Sequence, residues 1–138
     1  MIRSLMKAAP VLGLLAVLPA CGGDGSGPPG AGRAAELFHA AVQAGDYAQA
    51  CSMLAPATLE SAQRSGNGEA QPCTDQLRAV SLAAPGKPVS AQAFGRNAQV
   101  VFEADTVFLT LSDGTWKVMA AGCTSRGERP YSCLVEGD

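Results

Sequence analysis

Several residue types are scarce in this chain of 138 residues, and each scarcity excludes a class of function. Aromatic residues make up 5% of the sequence, too few for the stacking platform of a protein that binds single-stranded nucleic acid. Charged residues make up 16%, the formal net charge is −2, and no basic run occurs. The chain therefore lacks the electrostatic footprint of a nucleic-acid-binding protein, and we expect no nucleic acid among its partners.

Sequence signatures of catalysis are scarce as well. The chain contains no nucleophile elbow, zinc-protease motif, P-loop or dinucleotide-binding motif. Its single histidine, His39, falls on the polar side of the predicted first helix, where we expect an exposed side chain. Without a second histidine, Cys123 has no base that would activate its thiol. The sequence therefore predicts no catalytic residue, no cofactor and no metal.

The first twenty residues have the pattern of an export signal. Residues 1–7 carry two positive charges, and the following thirteen residues, 8–20, are uncharged and largely apolar. This stretch is too short to span a bilayer, for which a helix needs about 20 residues. We therefore interpret residues 1–20 as a signal peptide.

The end of this segment, Leu18-Pro19-Ala20-Cys21, resembles the lipobox of bacterial lipoprotein precursors. That resemblance implies cleavage before Cys21, attachment of diacylglycerol to its thiol, and anchoring at the extracytoplasmic face of the cell membrane. Free secretion is the alternative, but Leu18 is larger than the residue that an ordinary signal-peptide cut prefers at that position.

Residues 21–32 are rich in glycine and proline and have no apolar periodicity. We interpret them as the lipidated cysteine followed by a flexible tether. Eleven residues of this composition, 22–32, have a root-mean-square span of about 18 Å. Such a tether would lift the folded domain, residues 33–138, off the membrane without fixing its orientation.

The chain has five cysteines, an odd number that leaves four once Cys21 is assigned to the lipid. An even set of cysteines in an exported chain indicates disulfides, here with three possible connectivities. We favour Cys51–Cys73 and Cys123–Cys133, because each bridge then joins neighbours in sequence. A four-thiolate zinc site is the alternative, but no paired-cysteine knuckle is present.

The first half of the predicted domain has helical periodicity. Over residues 33–44 the apolar side chains recur on one face, and that face comprises Ala34, Leu37, Phe38, Ala41 and Val42. Asp46 is placed to cap a second helix, whose inward face carries Tyr47. A third helix is expected over about residues 57–64, after Pro56. A fourth, capped by Thr74, runs to residue 82.

The second half changes to the two-residue period of strands, over residues 89–94, 98–104, 106–112 and 115–121. Asp113-Gly114 is a two-residue hairpin turn that sets the register of the last two strands. In that register Leu111 faces Trp116, Leu109 faces Val118 and Phe108 faces Met119. Leu109, Leu111, Trp116 and Val118 then share a core face.

The opposite face of this sheet is also apolar, since it carries Val101, Phe108 and Met119. Two interpretations remain open. Either the C-terminal segment, with Tyr131 and Leu134, folds back over these side chains, or they form an open surface for a ligand or partner.

Helices followed by an antiparallel sheet indicate an α+β fold with about four strands. Several segments then carry a more specific resemblance. They are Asp46-Tyr47-Ala48-x-Ala50-Cys51-x-x-Leu54-Ala55-Pro56, Cys73, Asp105-Thr106-Val107-Phe108-Leu109, Asp113-Gly114-x-Trp116-Lys117-Val118, Ala120-Ala121-Gly122-Cys123 and Arg129-Pro130-Tyr131-x-Cys133-x-Val135-x-Gly137. With these segments, the chain resembles small lipoproteins of high-GC Gram-positive bacteria (actinobacteria) that have the nuclear transport factor 2-like (cystatin-like) fold. That fold is a curved sheet wrapped around helices as a cone.

The resemblance implies two alternative functions. The first is a membrane-anchored, non-catalytic module that binds an envelope protein or an apolar small ligand. The second is an isomerase or hydratase, because enzymes of this fold place Asp, His or Tyr inside the cone. The candidates here are Tyr47, Glu103 and Asp105, and they match no catalytic constellation, so we favour the binding module.

Overall fold

The computed structural model describes residues 25–137 as an α+β domain whose helices pack on an antiparallel sheet that is not closed. Within this range four helices come first and six strands follow, where about four strands were predicted. In chain order the elements are α1 (Pro28–Gln43), α2 (Tyr47–Ser52), α3 (Pro56–Ala62), α4 (Cys73–Val80), β1 (Pro88–Phe94), β2 (Asn97–Phe102), β3 (Thr106–Ser112), β4 (Thr115–Arg126), β5 (Arg129–Ser132) and β6 (Val135–Glu136). The predicted signal peptide and Cys21 lie outside the described residues.

Helix α1 begins at Pro28, so residues 28–32 belong to the helix and not to the predicted tether. Proline suits the first turn of a helix, where its missing N–H has no intrahelical partner. Ala31 is fully buried, and Gly32 lies against Ala91 of β1. These small residues let the helix approach the sheet closely. Apolar periodicity does not reveal such a contact. For this reason the predicted start of the domain, residue 33, lies after the observed start of α1.

The buried face of α1 also differs from the predicted one. It is centred on Ala35, Phe38 and Val42 and includes His39, whose side chain is 3% exposed. Leu37 is 44% exposed, so the prediction that it points inward is wrong. The predicted exposure of His39 is wrong too, because this side chain finds a buried carboxylate on the sheet.

The short helices largely follow the sequence signals. The side chain of Asp46 accepts a hydrogen bond from the backbone N–H of Gln49 at 3.1 Å, which confirms the predicted cap of α2. Helix α4 begins at Cys73, so Thr74 lies inside it and does not cap it. A disulfide joins Cys51 of α2 to Cys73 of α4, as predicted.

The strands are ordered β1-β2-β3-β4-β5, and β6 pairs with β4. Strand β4 is twelve residues long, because residues 115–123 pair with β3 and its last residues pair with β5. The two strands beyond the predicted four are the short β5 and β6, which belong to the C-terminal segment.

The β3–β4 hairpin has the predicted turn and most of the predicted register. Asp113 and Gly114 have φ values of 51° and 75°, as a type I′ turn requires. Leu111 pairs with Trp116, and Leu109 pairs with Val118. Phe108, however, pairs with Ala120, so its predicted pairing with Met119 is wrong. A bulge makes Met119 an extra residue in β4 at this point.

The main core lies between α1 and the face of the sheet that α1 covers, called here the inner face. The largest fully buried side chains include Phe38 of α1 and, on the strands, Val100, Val107, Leu109 and Val118. The opposite face of the sheet is called the outer face. It carries Gln99 and Val101 of β2 and Phe108 of β3, which alternate with those core residues.

No helix within residues 25–137 combines the length and the apolar character needed to cross a membrane.

Candidate functional site

Two of the three side chains predicted to form an apolar face meet in a single groove on the outer face. Phe108 and Met119 line a cleft of about 520 Å³, whose other wall is formed by Pro130, Tyr131 and Cys133. Val101 lies on the same face and is half-buried, but it does not line this cleft. The prediction of a shared apolar surface therefore applies to Phe108 and Met119.

A second cleft, of about 380 Å³, continues the first toward the beginning of α3. The two clefts share Asn97, Met119 and Gly137, so they form one elongated depression, called here the outer groove. Its second part is lined by Pro56 and neighbouring residues of α3, together with Thr110 of β3. The combined space is of the size that proteins use to bind small ligands.

The C-terminal segment forms one wall of the outer groove and leaves its floor open. The ring of Tyr131 packs edge-on against Phe108, with ring centroids 5.1 Å apart. The side-chain amide of Gln99 donates a hydrogen bond to the Tyr131 hydroxyl at 3.3 Å. Met119 nevertheless remains 39% exposed, and Leu134 lies beside Gly122, 57% exposed. Of the two interpretations of this face, coverage by the C-terminal segment therefore holds only in part.

The disulfide between Cys123 and Cys133 fixes this wall in place, and it is the second predicted bridge. It ties the segment that carries Tyr131 to β4, across the β4–β5 hairpin. Because the bridge removes freedom from the segment, the groove is preorganised, which lowers the entropic penalty of binding.

The second cluster of chemical interest is a buried pair formed by His39 and Asp105. The ring nitrogen Nε2 of His39 lies 2.7 Å from Oδ2 of Asp105, and the two residues are 3% and 8% exposed. The other carboxylate oxygen, Oδ1, accepts a hydrogen bond from the backbone N–H of Cys123 at 2.8 Å. The pair therefore links α1, the β2–β3 turn and β4.

The surroundings of His39 are apolar. The rings of Phe38 and Phe102 stand edge-on to the imidazole, with centroids 5.6 and 5.3 Å from its own. Nδ1 of His39 is buried without a hydrogen-bond partner among the described residues. Both oxygens of Asp105 are engaged. Asp105 also lines a small cleft of about 130 Å³ together with Gly122 and Leu134, whereas His39 lines neither that cleft nor the outer groove.

The remaining candidate bases lie apart from this pair. Glu103 is exposed, and its carboxylate accepts a hydrogen bond from the backbone N–H of Lys87 at 2.8 Å. Tyr47 is half-buried, and the guanidinium of Arg78 lies 5.2 Å from the centre of its ring. The structure thus brings Asp105 together with His39, which was predicted to be exposed, whereas Tyr47 and Glu103 contact other residues.

A signal for the burial of His39 is present in the sequence. Residues 31, 35, 38 and 42 are Ala, Ala, Phe and Val, a small and apolar series at helical spacing, and position 39 lies on the same side as 35 and 42. Because Leu37 is large and apolar, the prediction placed the buried face of the first helix on the side of Leu37 instead.

Within residues 25–137, no group of three or more His, Cys, Asp or Glu side chains is placed to hold a metal ion. No protein-family model, curated protein or solved structure matches the chain. Its function is therefore argued from its own residues.

Proposed function

We propose that this chain is a lipid-anchored protein of the cell envelope whose domain binds an apolar group in the outer groove without catalysing a reaction. The apolar group belongs to a small ligand or to a segment of a partner protein. The observation that carries this proposal is the groove itself, with Met119 and Phe108 on its floor and a disulfide-fixed wall. An exposed apolar depression on a soluble domain is typical of a binding site.

The anchor at Cys21 is supported by the lipobox-like sequence and by the cysteine pattern. The two disulfides use all four other cysteines, which leaves Cys21 as the odd thiol. Disulfides persist in exported proteins, outside the reducing cytosol. A diacylglycerol on this thiol would supply two acyl chains, and two hydrophobic anchors give stable membrane attachment.

For the fold, the finer proposal is the nuclear transport factor 2-like cone. It is supported by the order of elements, with a long first helix against the inner face of an antiparallel sheet. The register shifts within the β3–β4 pair bend the sheet, as bulges do in curved sheets.

The isomerase or hydratase alternative requires a base that reaches substrate. His39 and Asp105 are the chemically suited pair, but both are buried and committed to each other. The space that a substrate would need between α1 and the inner face is occupied by core side chains. These observations favour the binding module.

The proposal is tested with N-phenylnaphthylamine, an uncharged apolar probe whose fluorescence rises when it enters an apolar site. We expect Met119→Gln to weaken probe binding about tenfold, equivalent to about 1.4 kcal/mol, because it replaces an apolar side chain on the groove floor. The control is Val89→Gln, which also replaces an apolar side chain by glutamine, at an exposed strand position outside the groove. It should bind the probe like the wild type.

Equal affinity of the two variants, or no binding by the wild type, would contradict the assignment of the outer groove as a binding site.

A further inference from the structure

Gly25, which precedes α1, is held at a fixed position on the domain. The backbone carbonyl of Gly25 accepts a hydrogen bond from the indole N–H of Trp116 at 3.0 Å. The same carbonyl group lies against Gly30, where an added Cβ atom would be 1.7 Å from the carbonyl oxygen. Residue 30 must therefore lack a side chain for Gly25 to occupy this place.

This arrangement limits how far Cys21 can lie from the domain. Gly25 is four positions after Cys21, so their α-carbons are at most about 14 Å apart even when the chain between them is fully extended. The tether predicted from the sequence had a span of about 18 Å and left the domain free to turn. Because α1 begins at Pro28 and Gly25 is held against Trp116, a lipid on Cys21 would be kept close to one end of the domain.

That end, called here the entry end, comprises Gly25 and the turns of the β1–β2 and β3–β4 hairpins. Its cations are Arg33, Arg96 and Lys117. Arg96 donates to the carbonyl of Leu111 at 2.7 Å, and Lys117 donates to a carbonyl at the end of α2 at 2.7 Å. The acids beside them are Asp113 in the β3–β4 turn, Glu36 next to Leu37 and Asp24 next to Gly25 in sequence, so the formal charges of the entry end balance.

Apolar surface lies beside these cations. A cleft of about 450 Å³ at the entry end is lined by Leu37, Met53 and Trp116 together with Arg33 and Lys117. Phe94, next to the β1–β2 turn, is 62% exposed, and Leu37 is 44% exposed. Basic side chains beside exposed apolar ones are the combination that binds the headgroup region of anionic bilayers.

We infer that the domain docks with its entry end on the membrane surface, which fixes its orientation and leaves the outer face of the sheet accessible. This inference rests on the proposed lipid anchor at Cys21. It commits to phospholipid as the partner, because the short connection from Cys21 to Gly25 brings the bilayer within reach of the exposed Leu37 and Phe94.

Trp116 is the only tryptophan of the chain and therefore reports on this contact directly. The mature protein is purified from the membrane fraction and reconstituted into vesicles of phosphatidylcholine with phosphatidylglycerol that contain a nitroxide-headgroup lipid. Because nitroxides quench fluorescence only at short range, we expect strong quenching of Trp116 in the wild type. A twelve-residue Gly-Ser insertion after Gly22, which adds a span of about 19 Å, should lower the quenching.

Charge variants test the role of the cations. Each of Arg33→Gln and Lys117→Gln should lower the ratio of docked to undocked domain about fivefold, as expected for one basic residue at an anionic surface. The matched control is the pair Arg126→Gln and Arg129→Gln, at the opposite end of β4, which should leave the quenching unchanged. Circular dichroism verifies that every variant is folded.

Flotation with the vesicles separates the possible outcomes. A wild-type protein that does not float would refute the proposed anchor. A protein that floats but shows the same quenching with and without the insertion would overturn the docking inference and leave the anchor intact. Unquenched Trp116 together with a chemically cross-linked dimer would assign the entry end to a second copy of the chain and would also overturn it.

Discussion

At the scale of single residues, the buried pair of His39 and Asp105 lies beside the aromatic rings of Phe38 and Phe102. His39 shares the predicted polar face of the first helix with Glu36 and Gln43. Its partner lies 66 residues away in the β2–β3 turn. A polar side chain can be buried when such a partner satisfies it. The pair therefore acts as a fixed connection between α1 and the sheet, in a position where the enzyme alternative would require a solvent-accessible base.

Removing the carboxylate of this pair should destabilise the domain strongly. We expect Asp105→Ala to lower the free energy of unfolding by about 3–5 kcal/mol, because it leaves buried polar groups of His39 and Cys123 without partners. The control Asp75→Ala removes the exposed ion pair with Arg78 and should lower the free energy of unfolding by less than about 1 kcal/mol. Urea denaturation measures both, and similar losses in the two variants would show that the buried pair is not a structural connection.

Phe108 distinguishes an open groove from a closed one. Its ring is half-buried and touches Tyr131 on one side, so Phe108→Ala should lower the free energy of unfolding by about 1–2 kcal/mol. The variant should remain folded and lose affinity for N-phenylnaphthylamine. A loss of more than about 3 kcal/mol, as for a fully buried ring, would instead show that the C-terminal segment closes the outer groove.

At the scale of elements, the β3–β4 hairpin carries the largest share of the sheet's contribution to the core. Trp116 is 5% exposed within the core cluster and also holds Gly25. Its substitution Trp116→Ala should therefore lower the free energy of unfolding by about 3–5 kcal/mol. The adjacent Lys117→Ala, on the outer face, should lower it by about 0.5 kcal/mol. Thermal melting of both variants is the measurement, and wild-type melting of Trp116→Ala would contradict the register.

The two disulfides should have similar effects on stability and different effects on binding. Replacing both cysteines of either bridge by alanine should lower the free energy of unfolding by about 3 kcal/mol, given loops of 22 and 10 residues. Only the loss of Cys123–Cys133 should weaken binding of N-phenylnaphthylamine, because that bridge forms the groove wall. Equal probe affinities for the two double variants would show that the wall fixed by Cys123–Cys133 does not contribute to binding in the outer groove.

The elements that the sequence predicts well are those determined by local chemistry. The Asp113-Gly114 turn fixes its own backbone geometry, and each disulfide joins cysteines that are close along the chain. Strand β5 is different, because Arg129–Ser132 is exposed throughout and has no alternation of burial to predict it. The bulge at Met119, the start of α1 and the burial of His39 likewise depend on contacts between distant segments.

For the candidate site, the sequence predicts which residues are apolar but not how they assemble. Phe108 and Met119 were expected to face each other across a regular ladder, and the bulge instead places Met119 beside the groove that α3 and Tyr131 complete. Val101 shares their face and lies outside the groove, because the walls come from segments that a two-residue period cannot position.

At the scale of the whole molecule, the proposed function joins an anchor at one end of the domain to a groove on the outer face of the sheet. A short connection between Cys21 and Gly25 would hold the entry end at the membrane. The outer groove would then be presented in a fixed orientation to a ligand or partner in the envelope. The membrane attachment and the fixed orientation both depend on lipid attached to Cys21.

The mass of the N-terminal tryptic peptide of the protein, isolated from the membrane fraction, tests this most directly. We expect a peptide that begins at Cys21, ends at Arg33 and carries diacylglycerol on the cysteine. The variant Cys21→Ala should be lost from the membrane fraction. A mature protein that begins at another residue, or that begins at an unmodified Cys21, would contradict the proposed lipid anchor.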